Sequence, residues 1–213
     1  MQKYRTIVAD PPWAQTMSGS YKRRPKLTRE LPYPTMSVDE IANMPVADLA
    51  EVGCHLWLWT TNEFLHDGFH VMKSWGFKYL APIHWIKPSG FGNYWQHRTQ
   101  TILFGYYQKC QFNLERYLPN HFTANAGKHS QKPDASFDLV ERVSDPARLE
   151  IFSRRYRFGW HVFGNEVESD VEIPVRHLTP LALDGGDSAA LQALPTPEVL
   201  STLQGESTPA HRK

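Results

Sequence analysis

Short apolar segments rich in β-branched residues alternate along this chain with segments whose apolar residues have helical spacing, and this alternation restricts the fold more than any other feature. The predicted strands are residues 4–9, 55–60, 77–86, 101–107, 149–153 and 160–164. Helices are predicted to begin near Ser37, Asn62 and Pro133. Strands separated by helices at this spacing indicate a three-layer α/β sheet.

Local signals mark where the helices begin and end. Ser37 and Glu40 have the spacing of a capping box, which predicts a helix through about Leu49 that is either continuous or broken at Pro45. Asn62 is predicted to cap the second helix, and Gly76 to end it. Residues 87–98 form a long loop between two strands, rich in glycine, aromatic residues and hydrogen-bond donors. Loops of this length in compact domains are usually functional or disordered.

The length of 213 residues suits one domain with a tail. The predicted domain covers residues 1–168. Residues 169–213 are rich in Pro, Ser, Thr, Gly and Ala, and we expect a mostly disordered tail there.

Cys54 and Cys110 are the only cysteines, too few for a disulfide framework or a four-thiolate zinc site. We expect both thiols to be buried inside strands, in a protein of the reducing cytoplasm. No apolar stretch is long enough for a membrane span or a secretory signal, so no membrane association is expected.

Basic residues concentrate between positions 22 and 29, although the whole chain has a net charge of only +1. The run contains no acidic residue and consists of Lys22, Arg23, Arg24, Lys26 and Arg29. Such a run is either a solvated surface or a site that neutralises phosphates.

The tetrapeptide Asp10-Pro11-Pro12-Trp13 follows the first predicted strand directly. Ligands of open α/β sheets bind beyond the carboxyl ends of strands, so a carboxylate at this point is a candidate catalytic group. An exocyclic adenine amine that donates hydrogen bonds to the Asp10 carboxylate and the Pro11 carbonyl would become more pyramidal and more nucleophilic. The prolines fix the turn, and Trp13 is expected to offer a ring face to an unstacked base.

Other chemistries lack their signatures. The sequence contains neither a Gly-x-Ser-x-Gly elbow nor a phosphate loop that ends in Gly-Lys-Ser/Thr. The zinc deaminase motifs His-x-Glu and Pro-Cys-x-x-Cys are also missing. His66 and His70 have metal-ligand spacing, but we interpret them as surface or packing residues, and no metal site is predicted.

The tetrapeptide resembles the signature of the family named for the 70-kDa S-adenosylmethionine-binding subunit of messenger-RNA adenosine-N6 methyltransferase. The resemblance covers roughly residues 4–168. Further similar segments are Tyr33-Pro34-Thr35-Met36-Ser37, His84-Trp85-Ile86-Lys87-Pro88, Ser130-Gln131-Lys132-Pro133, Leu149-Glu150-Ile151-Phe152-Ser153-Arg154 and Gly164-Asn165-Glu166.

The resemblance implies a Rossmann-like domain, permuted so that its catalytic half precedes its cofactor half. It also implies S-adenosylmethionine as cofactor, bound by Asp10, Lys132, Arg154, Asn165 and Glu166. The chain departs from the family's pattern at three positions: Glu166 stands where glutamine is common, Tyr156 where histidine is common, and Gln100 where an acid is frequent. These departures concern cofactor affinity more than the type of reaction.

The resulting hypothesis is methyl transfer to the N6 amine of an adenine placed between Trp13 and the loop that contains Pro88 and Trp95. Lys22, Arg23, Arg24, Lys26, Lys87 and Arg98 are expected to bind nucleic acid. DNA is the preferred partner because the chain lacks a separate RNA-binding module, and RNA is the alternative.

Two hypotheses of other classes remain open. One is a catalytically silent nucleic-acid-binding partner subunit, and the other is a methyltransferase that acts on a protein amide or a small amine. The sequence does not determine the oligomeric state, and a homodimer is left open.

Overall fold

The computed structural model describes residues 2–14, 34–90, 94–112, 117–127 and 131–174. Within them the strands are β1 (Tyr4–Ala9), β2 (Ala50–Thr60), β3 (Phe77–Ile86), β4 (Thr99–Tyr107), β5 (His121–Thr123), β6 (Arg148–Ile151) and β7 (Trp160–Phe163). The helices are α1 (Val38–Ala42), a 3-10 helix (Val46–Leu49), α2 (Leu65–Ser74) and α3 (Asp134–Val143).

The strands form one sheet in the order β5-β3-β4-β2-β1-β6-β7. β1 pairs in parallel with β2 and β6, and the pairs β6–β7 and β3–β5 are also parallel. Only β4 among these strands is reversed, between β2 and β3. The six strands other than β4 therefore end at one edge of the sheet, which we call the carboxyl edge.

Helices cover both faces of the sheet and give the predicted three layers. On one face, Ile7 and Leu58 pack with residues of α1 and α2. On the other face, Val8 and Trp57 pack with Phe137 and Val140 of α3. Consecutive strand residues thus point into different cores, as the two-residue period of a strand requires. The α/β, Rossmann-like prediction is confirmed, whereas the permutation stays a prediction.

Several local expectations were less accurate. The capping box at Ser37 is present, and of the two alternatives the broken helix is the one observed: α1 ends at Ala42, earlier than expected, and a separate 3-10 helix follows Pro45. Asn62 does not cap α2, because Phe64 holds that position and the Asn62 Nδ2 atom lies 2.9 Å from His97 Nδ1. Cys54 is buried as expected, but Cys110 is exposed, since it lies just beyond β4.

Chain packing continues beyond the predicted domain boundary at residue 168. Ile173 is only 6% exposed and joins the core on the α1 and α2 face. Because the described residues end at position 174, most of the predicted tail lies outside them, and the boundary stays a prediction.

The described helices include none long and apolar enough to cross a membrane. Nor does the part of the chain that the structure describes contain a cluster of three or more His, Cys, Asp or Glu side chains that could hold a metal ion. His66 and His70 are exposed on α2.

Close packing of α2 on β2 depends on Gly68. A Cβ atom at this position would lie 2.3 Å from the Thr60 Cγ2 atom, and 3.0 Å from Leu103 Cδ1. Thr60 is the last residue of β2, so this contact sets how α2 leaves the carboxyl edge.

We predict that Gly68→Ala destabilises the protein. Overpacking costs about 1–3 kcal/mol, and the better helix propensity of alanine returns at most about 1 kcal/mol. Urea unfolding should show a net loss, whereas Lys73→Ala on the exposed side of α2 should change the free energy of unfolding little. A Gly68→Ala variant as stable as the parent would contradict the packing described.

Candidate functional site

A cavity of about 440 Å³ opens at the carboxyl edge, around the end of β1. Its walls come from segments far apart in sequence, namely the turn after β1, the strand ends of β6 and β7, and the start of β4. The lining residues are Asp10, Pro11, Pro12, Trp13, Pro34, Thr35, Met36, Glu40, Thr61, Gln100, Lys132, Phe152, Ser153, Arg154, Phe163, Gly164, Asn165 and Glu166. All residues predicted for catalysis and cofactor binding therefore line the same cavity.

The turn after β1 is fixed by backbone hydrogen bonds. The Trp13 N–H donates to the Pro11 carbonyl oxygen at 2.9 Å, and the Met36 N–H donates to the Pro12 carbonyl oxygen at the same distance. The Pro11 carbonyl thus has one lone pair left for a ligand. Because proline has no N–H and a fixed φ angle, this turn presents acceptors and no donor at Pro11 and Pro12.

Trp13 does not offer a free ring face, contrary to the sequence-based expectation. Its side chain is only 5% exposed and stacks on Phe64, with ring centroids 5.4 Å apart. The Trp13 indole N–H donates to the Trp59 carbonyl oxygen at 3.2 Å. Trp13 therefore anchors the turn after β1 to β2, and it also lines the cavity. The chemical pattern alone could not distinguish an anchor from a stacking platform.

The Asp10 carboxylate makes an ion pair with Lys132 across the cavity. The Lys132 Nζ atom lies 2.6 Å from Asp10 Oδ2, and it also lies 5.1 Å from the ring centroid of Trp59. Lys132 is only 12% exposed, since it is enclosed where the chain enters α3. Lys132 thus pairs with the predicted catalytic carboxylate of Asp10. Its contact with the carboxylate of a cofactor, which the resemblance implies, stays a prediction.

On the side of the cavity formed by β6 and β7, the backbone has an unusual φ angle at one residue and a very close approach at another. Phe152 has a φ of +67°, which is unusual for a residue with a side chain. A Cβ atom at position 164 would lie 1.9 Å from the Ser153 carbonyl oxygen, so only glycine fits there. Arg154 and Glu166 approach to 3.8 Å, and Asn165 lies beside them in the cavity wall.

These residues fit S-adenosylmethionine. Lys132 offers a cation for its carboxylate, while Arg154, Asn165 and Glu166 offer polar groups for ribose hydroxyls. The Gln100 Oε1 atom is buried and has no hydrogen-bond partner among the described residues. Buried acceptors are normally satisfied, so this oxygen is suited to a proton donated by a ligand. Sequence reasoning noted Gln100 as a departure from the family but did not assign it to the cavity.

Sequence reasoning missed Glu150 as a functional candidate. Its pairing with Val8 puts the carboxyl group on the α3 face of the sheet, and its Oε2 atom is buried and unpartnered within the described residues. Burial raises the pKa of Glu150 to about 7, and the negative charge of Asp10 contributes to the rise. Only the three-dimensional packing could reveal this group.

The predicted nucleic-acid-binding residues divide into two sets. Lys87 follows β3 at the carboxyl edge, where its Nζ atom lies 5.6 Å from the ring centroid of Trp85. Burial lowers the pKa of Lys87, and the charge of Lys132 lowers it further. Arg98 is exposed, and its Nε–H donates to the Lys87 carbonyl oxygen at 3.0 Å. The four other residues, Lys22, Arg23, Arg24 and Lys26, lie outside the described residues.

Comparisons with known proteins point to one family. A family model described as MT-A70 matches residues 4–166. The chain is 27% identical over 196 residues to the type II methyltransferase M.MunI of Mycoplasma sp, with 82% of this chain and 83% of that protein covered.

Longer relatives match over a smaller share of their length. Identity is 28% over 176 residues to the N(6)-adenosine-methyltransferase MT-A70-like protein of Arabidopsis thaliana, with 77% of this chain and 24% of that protein covered. It is 26% over 178 residues to the human N(6)-adenosine-methyltransferase catalytic subunit METTL3, with 78% and 28% covered. The chain thus spans about a quarter of the length of these two relatives.

We predict that Glu150 makes stability depend on pH. Its pKa of about 7 in the folded protein exceeds the ordinary value of 4.5. The folded state therefore keeps a proton that the unfolded chain releases. The resulting stabilisation is complete below pH 4.5 and is lost as the pH rises through 7, by up to about 1.4 kcal/mol per pH unit.

Urea unfolding between pH 4 and 9 measures this slope. Glu150→Gln should remove the decline in the free energy of unfolding, because glutamine stays neutral throughout. Glu172→Gln, a change at an exposed position, should keep the slope of the parent. An unchanged slope in Glu150→Gln would assign the pH dependence to another group.

Proposed function

The chain belongs to the MT-A70 family, and on that premise we propose that it is an S-adenosylmethionine-dependent methyltransferase for the N6 amine of adenine in nucleic acid. The cavity at the carboxyl edge carries this proposal. It joins the carboxylate and the Pro11 carbonyl of the Asp10–Trp13 turn to Lys132, Arg154, Asn165 and Glu166 in about 440 Å³. The Asp10 carboxylate and the Pro11 carbonyl suit an adenine amine. The four polar side chains suit a nucleoside with a charged amino-acid tail.

S-adenosylmethionine supplies an electrophilic methyl group on a sulfonium. The chain's own residues orient the acceptor. Asp10 and the Pro11 carbonyl accept hydrogen bonds from the two amine protons, which turns the nitrogen lone pair out of conjugation with the ring. A cofactor held by Lys132, Arg154, Asn165 and Glu166 would supply the methyl carbon: the new N–C bond would replace the S–C bond, the neutral thioether would leave, and the proton lost by the amine would pass to solvent.

The charge balance of the site suits this reaction. Positive charge develops on the amine nitrogen during the transfer, and the Asp10 carboxylate is positioned to stabilise it. Lys132, at 2.6 Å from Asp10 Oδ2, orients the carboxylate. Alignment of the two reactants supplies much of the remaining rate enhancement.

We propose DNA as the substrate class. The chain aligns with most of the length of the type II methyltransferase M.MunI, but with only about a quarter of the N6-adenosine methyltransferases of Arabidopsis and human. Because the match to M.MunI runs through most of that protein, we take the type II enzyme as the functional parallel, with RNA as the alternative substrate.

The decisive experiment offers single- and double-stranded DNA and RNA with methyl-labelled cofactor and then digests the products to nucleosides. Label in N6-methyl-2′-deoxyadenosine supports DNA as the substrate. Label in N6-methyladenosine alone would show that the substrate is RNA instead. Absence of label, together with absence of heat in calorimetric titration with S-adenosylmethionine, would instead indicate a silent partner subunit.

Asp10→Asn should lower kcat by at least about a hundredfold, because the amide cannot offset the charge on the amine. Binding of the cofactor, measured by calorimetry, should change much less. Asp138→Asn removes an exposed carboxylate from α3 and serves as the control, with kcat near that of the parent. Transfer by Asp10→Asn at the parent's rate would exclude the assigned role.

Neutralising Lys22, Arg23, Arg24 and Lys26 with glutamine should weaken nucleic-acid binding and flatten its salt dependence, because fewer counterions are released. Cofactor affinity should stay unchanged. Lys73→Gln with Lys78→Gln is the control, since both residues lie toward the opposite edge of the sheet. Fluorescence anisotropy at several salt concentrations gives the slope, and a slope equal to the parent's would reject the assignment of the basic run.

A further inference from the structure

The loop between β3 and β4 carries two aromatic side chains that are almost fully in solvent. Tyr94 is 96% exposed and Trp95 is 80% exposed. Aromatic side chains bury most of their surface in folded proteins, so two adjacent exposed rings are informative. Neither ring takes part in the core described above.

The base of this loop is held closed. The Lys87 N–H donates to the Arg98 carbonyl oxygen at 2.7 Å, and the Arg98 Nε–H donates back to the Lys87 carbonyl oxygen at 3.0 Å. A Cβ atom on Gly90 would lie 2.6 Å from the His97 carbonyl oxygen, so the two arms approach too closely for any other residue. The rings are therefore presented on a base that is ordered before a ligand binds.

The loop stands next to the cavity. The Asn62 Nδ2 atom lies 2.9 Å from His97 Nδ1, and Thr61, the neighbour of Asn62, lines the cavity. On the same arm of the loop, Gln100 lies two residues beyond Arg98 and also lines the cavity. The arm that leads into β4 thus connects the exposed rings to the wall around Asp10.

The charge of the loop selects an anionic partner. Residues 87–98 include Lys87, His97 and Arg98 but no aspartate or glutamate. Negative charge combined with flat rings describes a polynucleotide whose bases are unpaired. In a duplex the same bases are already stacked and paired, and exposing them costs free energy.

We infer that Tyr94 and Trp95 form a stacking platform for the unpaired bases adjacent to the target adenine, so that the protein prefers single-stranded nucleic acid. This inference rests on the proposed function. The ring of Trp13 is not part of this platform, because it stacks on Phe64.

The experiment uses fluorescent oligonucleotides with one adenine, in which the neighbouring nucleotides are either intact or abasic. The variants are Trp95→Ala, Tyr94→Ala and the ring-retaining Trp95→Phe. Tyr117→Ala is the matched control, because Tyr117 is fully exposed but lies outside the loop. Anisotropy gives Kd without requiring catalysis, and labelled cofactor gives methyl transfer on the same oligonucleotides.

For the parent, abasic neighbours should raise Kd about tenfold for each stacked base lost, and the duplex should bind more weakly than the single strand. Trp95→Ala should raise Kd for the intact strand by a similar factor. In this variant, abasic neighbours should raise Kd less than they do in the parent. Trp95→Phe should recover most of the loss, and Tyr117→Ala should bind like the parent.

The platform would be overturned if Trp95→Ala lost the same affinity for intact and abasic strands. It would also be overturned if the parent bound intact and abasic strands equally well, or bound duplex more tightly than single strand. None of these results would contradict the proposed methyl transfer to adenine. Conversely, strands that bind with the expected Kd pattern but receive no label would refute the proposed function and keep the platform.

Discussion

The parallel pairing of β1 with both β2 and β6 is the constraint on which the site depends. It places Ala9 between Leu58 and Ile151 in the middle of the sheet, so the next residue, Asp10, emerges at the centre of the carboxyl edge. Parallel strands that end together bring their following loops together, and here those loops carry the polar groups of the cavity. The Lys132 ion pair with Asp10 then ties the start of α3 to this central point at 2.6 Å.

Much of the fold follows from local sequence. The two-residue alternation in Leu56-Trp57-Leu58-Trp59 sends leucines to one core and tryptophans to the other, and the structure shows this division. The Ser37 capping box is present because it needs only residues within one helical turn. Asn62 failed as a cap because its side chain lies close to His97, a residue 35 positions away. Local rules cannot anticipate that competition.

The site divides in the same way between local and distant causes. Asp10, Lys132 and Arg154 were identified by motif, and the structure brings them into one cavity. The burial of Trp13 depends on Phe64, while the exposure of Gln100 to the cavity depends on the reversal of β4. Such features arise from the packing of segments that are distant in sequence, so they cannot be predicted from a local pattern of residue types.

The distribution of charge links the cavity to its surroundings. Asp10 is close to Lys132, whose charge in turn lowers the pKa of Lys87, so the positive charges are near enough to repel one another. The cavity wall also carries Glu40, Arg154 and Glu166, so acidic and basic side chains are mixed around the ion pair. Glu150 lies behind this group with a pKa raised by burial and by Asp10, and it is therefore largely protonated below pH 7. A second carboxyl group can thus be near Asp10 without adding a full negative charge to the site below pH 7.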